Sequence, residues 1–113
     1  LAVNPVNDIA HNNLAHALFV EGDWEGAVAQ YREAIRINPR YANAYDNLGA
    51  VLARQGKTRE AVEQYRQALA LDRNHAGAKT HLAQALETLR REQGQGPPPT
   101  GGGPQKRLDR KNR

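Results

Sequence analysis

Tyr45-Asp46-Asn47-Leu48-Gly49-Ala50-Val51-Leu52, followed by Ala61-Val62-Glu63-Gln64-Tyr65-Arg66, decides the fold, because the same pattern stands 34 residues earlier. There His11-Asn12-Asn13-Leu14-Ala15-His16-Ala17-Leu18 leads into Ala27-Val28-Ala29-Gln30-Tyr31-Arg32, and a further step of 34 brings Leu82 and Leu86 into register. Ala10, Ala44 and Ala78 keep the same phase, as do Gly22 and Gly56. A repeat of this length is one supersecondary unit that cannot bury its apolar face alone. Neighbouring units must therefore stack into a quasi-linear array with a shared core. Such an array offers a surface for partners rather than a closed pocket for chemistry.

Within each unit the apolar spacing is helical. Ala10, Leu14, Ala17, Leu18 and Val20 fall at helical intervals and stop at Gly22, which suits the left-handed turn after a helix. Asp23 is placed to cap the next helix, whose stripe is Ala27, Val28, Tyr31, Ala34, Ile35 and Ile37. Asn38-Pro39 ends it, since the residue before proline avoids the helical region. The second unit predicts helices from about 42 to 55 and 58 to 71, and a fifth helix runs from 76 to about 91 with no partner after it. Small residues at Ala15, Gly49, Ala83, Ala27, Ala61, Ala34 and Ala68 are expected to let helices approach closely. Trp24, Tyr31 and Tyr65 fall on the packing stripe and read as core, whereas Tyr41 and Tyr45 have polar tips that could face a groove.

The pattern resembles the tetratricopeptide repeat. The family's spacing of an aromatic, Leu-Gly and Tyr, then Ala-x3-Phe and Pro, appears as His11, Leu14-Ala15, Leu18, Ala27, Tyr31 and Pro39. It appears again as Tyr45, Leu48-Gly49, Leu52, Ala61 and Tyr65, so the likeness covers residues 8–92. Arg73 stands where the second proline belongs, and that exit turn is expected to be less rigid. The resemblance implies an all-α helix-turn-helix solenoid: the end of a preceding repeat at 1–7, repeats at 8–41 and 42–75, and a capping helix at 76–92. Leu1-Ala2-Val3-Asn4-Pro5-Val6-Asn7 aligns with Ile35 to Tyr41, which suggests a piece of a longer array.

Residues 93–113 read differently. They hold five of the ten glycines and four of the six prolines, with Leu108 as the only large apolar residue, and are expected to form a flexible tail. Residues 1–92 balance eleven Lys and Arg against eleven Asp and Glu, so the formal charge of +4 belongs to the tail. Lys106, Arg107, Arg110, Lys111 and Arg113 could touch an acidic protein surface, or could simply solvate the end. No aromatic is interleaved among them, which disfavours nucleic acid.

The chain has no Cys and no Ser, so thiolate metal sites and the commonest covalent nucleophiles are missing. His11 and His16 lie five apart, and His75 and His81 six, whereas two ligands on one helical face need three or four. The carboxylates Glu21, Asp23, Glu25, Glu60 and Glu63 flank a turn or a solvated face, and no glycine-rich phosphate loop opens a helix. No catalysis, metal or cofactor is expected. No apolar run is long enough for a membrane span, and Arg outnumbers Lys twelve to four in an Ala-rich chain, the composition of a GC-rich bacterial source. A soluble, cytoplasmic protein is the expectation.

By resemblance, partners bind on the concave side formed by the first helix of each unit. That implicates Asn12, Asn13, His16, Phe19 and Val20, then Asn43, Asp46, Asn47, Ala50 and Arg54, then Thr80, His81, Gln84 and Thr88. Asn13 and Asn47 are equivalent, similar to the asparagine ladder in the superhelix of O-linked N-acetylglucosamine transferase; such amides either grip a peptide backbone or bond within the array. Another branch of the family clamps chaperone C-termini with two lysines, an arginine and two asparagines. Only Asn47 matches here, with Asn12, His16, Gly77 and His81 at the other positions, so chaperone-tail binding is not expected. Three readings follow: a module binding a peptide or helix of a partner; a structural subunit docked through its N-terminal edge and tail; or the targeting region of an enzyme whose catalytic domain lies outside the chain.

Overall fold

The computed structural model describes residues 7–94, as five helices: α1 (Asp8–Val20), α2 (Trp24–Ile37), α3 (Ala42–Arg54), α4 (Thr58–Leu71) and α5 (Ala76–Glu92). Of the expected end of a preceding repeat at 1–7 only Asn7 is described, and the expected tail at 93–113 lies outside the described residues beyond residue 94. The fold is the all-α repeat solenoid. α1 pairs with α2 and α3 with α4, while α2 packs on α3 and α4 on α5. The first helices α1, α3 and α5 touch one another more lightly and line one side of the array.

The ends of the helices follow from their side chains. Asn7 Oδ1 accepts from Ala10 N at 2.9 Å to start α1, and Asp23 Oδ1 accepts from Gly26 N at 2.9 Å to start α2. The turns inside the two repeats are alike: Gly22 and Gly56 have φ of 91° and 81°, and the residues after them donate back to Leu18 and Leu52 at 2.8 and 2.9 Å. This is the hydrogen-bonded left-handed ending that glycine allows at low cost.

The two exit turns close through the same hydrogen bonds although Arg73 replaces the proline. His75 N donates to Asp72 O at 3.0 Å as Tyr41 N donates to Asn38 O at 3.1 Å. Asp72 Oδ1 accepts from Asn74 N just as Asn38 Oδ1 accepts from Arg40 N, both at 3.1 Å. The Asn or Asp at the turn's start supplies the constraint, and Arg73 fits as well as Pro39 does.

The core is built from Ala15, Ala27, Tyr31, Leu48, Val51, Leu52, Ala61, Val62, Tyr65 and Ala85, with Leu18, Phe19, Trp24, Val28, Ile35 and Leu82 packed against it. Trp24, Tyr31 and Tyr65 thus lie with the core, as their phase predicts. Ala83 departs from expectation: it is exposed, and among the described residues no helix follows α5 to approach it. Burial is greatest in the middle. Leu48 and Leu52 are 1% exposed, while Leu14 is 47% and Leu86 39% exposed at the equivalent outer positions. Thr58, itself buried, donates to Glu92 Oε2 at 3.0 Å and ties the start of α4 to the end of α5.

Gly49 marks the closest approach within the second repeat. A Cβ there would meet Tyr65 Cε1 at 2.5 Å, below any real contact, and Tyr65 is itself only 2% exposed. Gly49→Ala is expected to cost about 1–3 kcal/mol by overpacking, read as a lowered urea midpoint. A neutral outcome means that Tyr65 can shift to make the room that Tyr31 leaves Ala15.

Candidate functional site: the concave groove

Among the contacts that join neighbouring first helices, three span 35 residues rather than 34. Asn47 Nδ2 donates to Asn12 Oδ1 at 3.2 Å. His81 Nδ1 and Asp46 Oδ1 are 2.8 Å apart; a carboxylate accepts, so Nδ1 carries the hydrogen. The guanidinium carbon of Arg54 lies 5.5 Å from the centre of the Phe19 ring, within cation-π range. Phe19 in turn stands 6.5 Å from Trp24, ring centre to ring centre.

These contacts frame a groove of about 390 Å³ lined by Phe19, Ala50, Ala53, Arg54, Tyr65, His81 and Gln84. A smaller recess of about 160 Å³ continues it along Thr58, Ala85 and Thr88, sharing Ala53, Tyr65, His81 and Gln84. The floor is apolar and aromatic, with Tyr65 and the His81 ring 5.5 Å apart. Short side chains at Ala50 and Ala53 open the space. The rim is polar.

The residues singled out from the sequence fall into three groups. Phe19, Arg54, His81 and Gln84 line the groove together with Ala50. Asn13, His16 and Val20 are exposed on α1 beside it, Val20 at 71%. Asn12, Asn43, Asp46 and Asn47 spend polar atoms inside the array instead. Asn43 Oδ1 is 2.6 Å from His75 Nε2, and since His75 Nδ1 accepts from Ala78 N to cap α5, Nε2 is the donor. Asp46 is only 6% exposed with its carboxylate held by His81, so it supports the groove rather than meeting an occupant. For Asn47 the bond to Asn12 is the within-array use of the amide, so Asn13 and Asn47 are not alike despite equal phase.

Sequence reasoning missed Tyr65 and Ala53 as groove residues. Tyr65 read as core, which it is at 2% exposure, yet one edge of it floors the cleft. Tyr45 resolves the other way, since its hydroxyl donates to Pro39 O at 2.9 Å and closes the entry loop.

Electrostatically the groove is simple. Among the described residues the ion pairs of Arg36, Arg90 and Arg91 are with Glu33 or Glu87 on their own helices, whereas no carboxylate pairs with Arg54. Those arginines hold the Glu33 and Glu87 carboxyls below their ordinary range. Burial pushes the Tyr31 and Tyr65 phenols up to about 12, with Asp46 adding to the effect on Tyr65. The histidines are dispersed, and among the described residues no three His, Asp or Glu side chains converge on a metal-sized space. No helix among them is long and apolar enough to cross a membrane.

A family model described as TPR repeat matches residues 15–56, and another described as tetratricopeptide repeat matches residues 42–75. Among solved structures the chain is similar to the first TPR of Spaghetti (RPAP3) bound to HSP90 peptide SRMEEVD. The identity is 28% and the TM-score 0.73, over 76% of this chain and 68% of that one. It is similar also to the MamA protein, at 27% identity and a TM-score of 0.73, over 80% of this chain and 50% of that one. Among curated proteins none matches.

Proposed function

Because the chain belongs to the tetratricopeptide repeat family, whose two models together span residues 15–75, we propose that its concave groove holds an extended peptide or a helix of a protein partner. The repeats form a protein-interaction module, and this fold is typically non-catalytic. The observation that carries the finer reading is the continuous cleft across α1, α3 and α5, with an apolar floor and polar groups at its edge. Such a surface recognises one chain by its backbone and by pockets for alternate side chains. The similar RPAP3 repeat, bound to a peptide, supports the reading.

Selection from a random peptide library tests it, followed by amide chemical-shift mapping of the enriched peptides. Shifts are expected at Asn13, His16, Phe19, Ala50, Arg54 and Gln84. Enriched peptides that perturb Arg59, Glu63 and Arg66 on the outer side of α4 would move the site to the convex face. A second reading, a subunit docked through its N-terminal edge, draws on the exposure of Ile9, Leu14 and Val20. Under it no peptide enriches, and a larger apolar surface is needed instead.

A further inference from the structure

Resting on that concave-face reading, we propose that the groove selects a peptide in which a carboxylate side chain neighbours a bulky apolar one. The carboxylate goes to Arg54 and the apolar side chain to the floor between Phe19 and Tyr65.

Among the described residues Arg54 is the one cation that lines the cleft. Its guanidinium carbon lies over the Phe19 ring, 5.5 Å from the centre, a contact that favours this position while the N–H donors stay available to a ligand. No carboxylate among the described residues takes those donors. Asp46, the acidic residue beside the groove, is buried and engaged by His81. The charge offered to an occupant is therefore positive, and planar bidentate pairing favours a carboxylate.

The rest of the cleft sets what accompanies that carboxylate. Phe19, Ala50, Ala53 and Tyr65 form the apolar part of a space of about 390 Å³ whose polar lining is Arg54, His81 and Gln84, so beside the carboxylate an aliphatic or aromatic side chain fits that apolar part best. His81 has Nδ1 committed to Asp46, which leaves Nε2 to pair with a backbone group of the bound chain. Gln84, exposed at the edge, can pair with the same backbone. A polyanion such as RNA is disfavoured, since it needs a row of cations and the groove has one arginine.

Four fluorescein-labelled synthetic peptides test the proposal by anisotropy against the full chain: alternating Glu and Leu, and counterparts with Gln for Glu, Lys for Glu, or Ser for Leu. The Glu/Leu peptide is expected to bind about tenfold or more tighter than each of the others, because the charged pair and the apolar insertion each contribute. Arg54→Gln should erase the preference for Glu over Gln, and Arg54→Lys should recover part of it. Arg54 is exposed, so both variants should keep the parent's thermal melt. Equal binding of the Glu and Gln peptides, a preference that survives Arg54→Gln, or no binding by the Glu/Leu peptide overturns the proposal. Shift mapping separates the two levels. Equal binding that still perturbs Ala50, Tyr65 and His81 keeps the concave site and removes only its acidic selectivity, while shifts at Arg59, Glu63 and Arg66 remove both.

Discussion

Leu48→Ala is expected to lower stability by about 2–5 kcal/mol, enough to unfold most molecules of a small array at body temperature. Leu48 is 1% exposed and belongs to the central cluster with Val51, Leu52 and Tyr65, so its removal leaves a cavity that neighbours on both sides must line. Leu14 provides the control. It holds the same position one repeat earlier but is 47% exposed, so Leu14→Ala forfeits little burial and should cost well under half as much. Urea melts of the two variants check this. Equal losses would mean that burial is not graded along the array.

Raising the pH should unfold the chain between about 10 and 12. Tyr31 and Tyr65 are 1% and 2% exposed, and burial lifts both phenols from 10.0 to about 12. The folded state therefore keeps protons that the unfolded state releases. Their contribution is complete below the unfolded value and is lost as pH rises through the folded one. Since one pKa unit corresponds to about 1 kcal/mol, ionising the pair costs on the order of a few kcal/mol, a sizeable part of the stability of a marginal domain. Loss of helical circular dichroism should coincide with tyrosinate absorbance. Replacing both residues with Phe should carry the helical signal to higher pH, and a double variant that melts at the same pH as the parent would dissociate unfolding from the phenols.

The helices were legible in the sequence because a self-shift of 34 brings like environments together: Gly22 with Gly56, Leu14 with Leu48, Tyr31 with Tyr65. What the shift hides is the relation between repeats. Successive first helices are offset, so a residue faces the one 35 ahead, as Asn12 faces Asn47, Asp46 faces His81 and Phe19 faces Arg54. Equal phase therefore made Asn13 and Asn47 look like one ladder when the second is bonded sideways. Asp46, placed by the resemblance among the partner-binding residues, is 6% exposed and bonded to His81. The groove's aromatic floor escaped notice because Tyr65 serves core and cleft at once, and no periodicity separates those tasks.

The gradient from Leu48 to Leu14 and Leu86 has a consequence for motion. In a quasi-linear array each unit is steadied only by its neighbours, so opening starts where burial is least. Amide hydrogen exchange should be slowest in α3 and α4 and faster in α1 and α5, where the outer leucines face solvent. The cleft runs across that divide, drawing Phe19 from one end, Arg54 from the centre and His81 from the other. An occupant bridging all three would hold the less buried helices against the middle, and occupancy would register as slowed exchange far from any atom it touches.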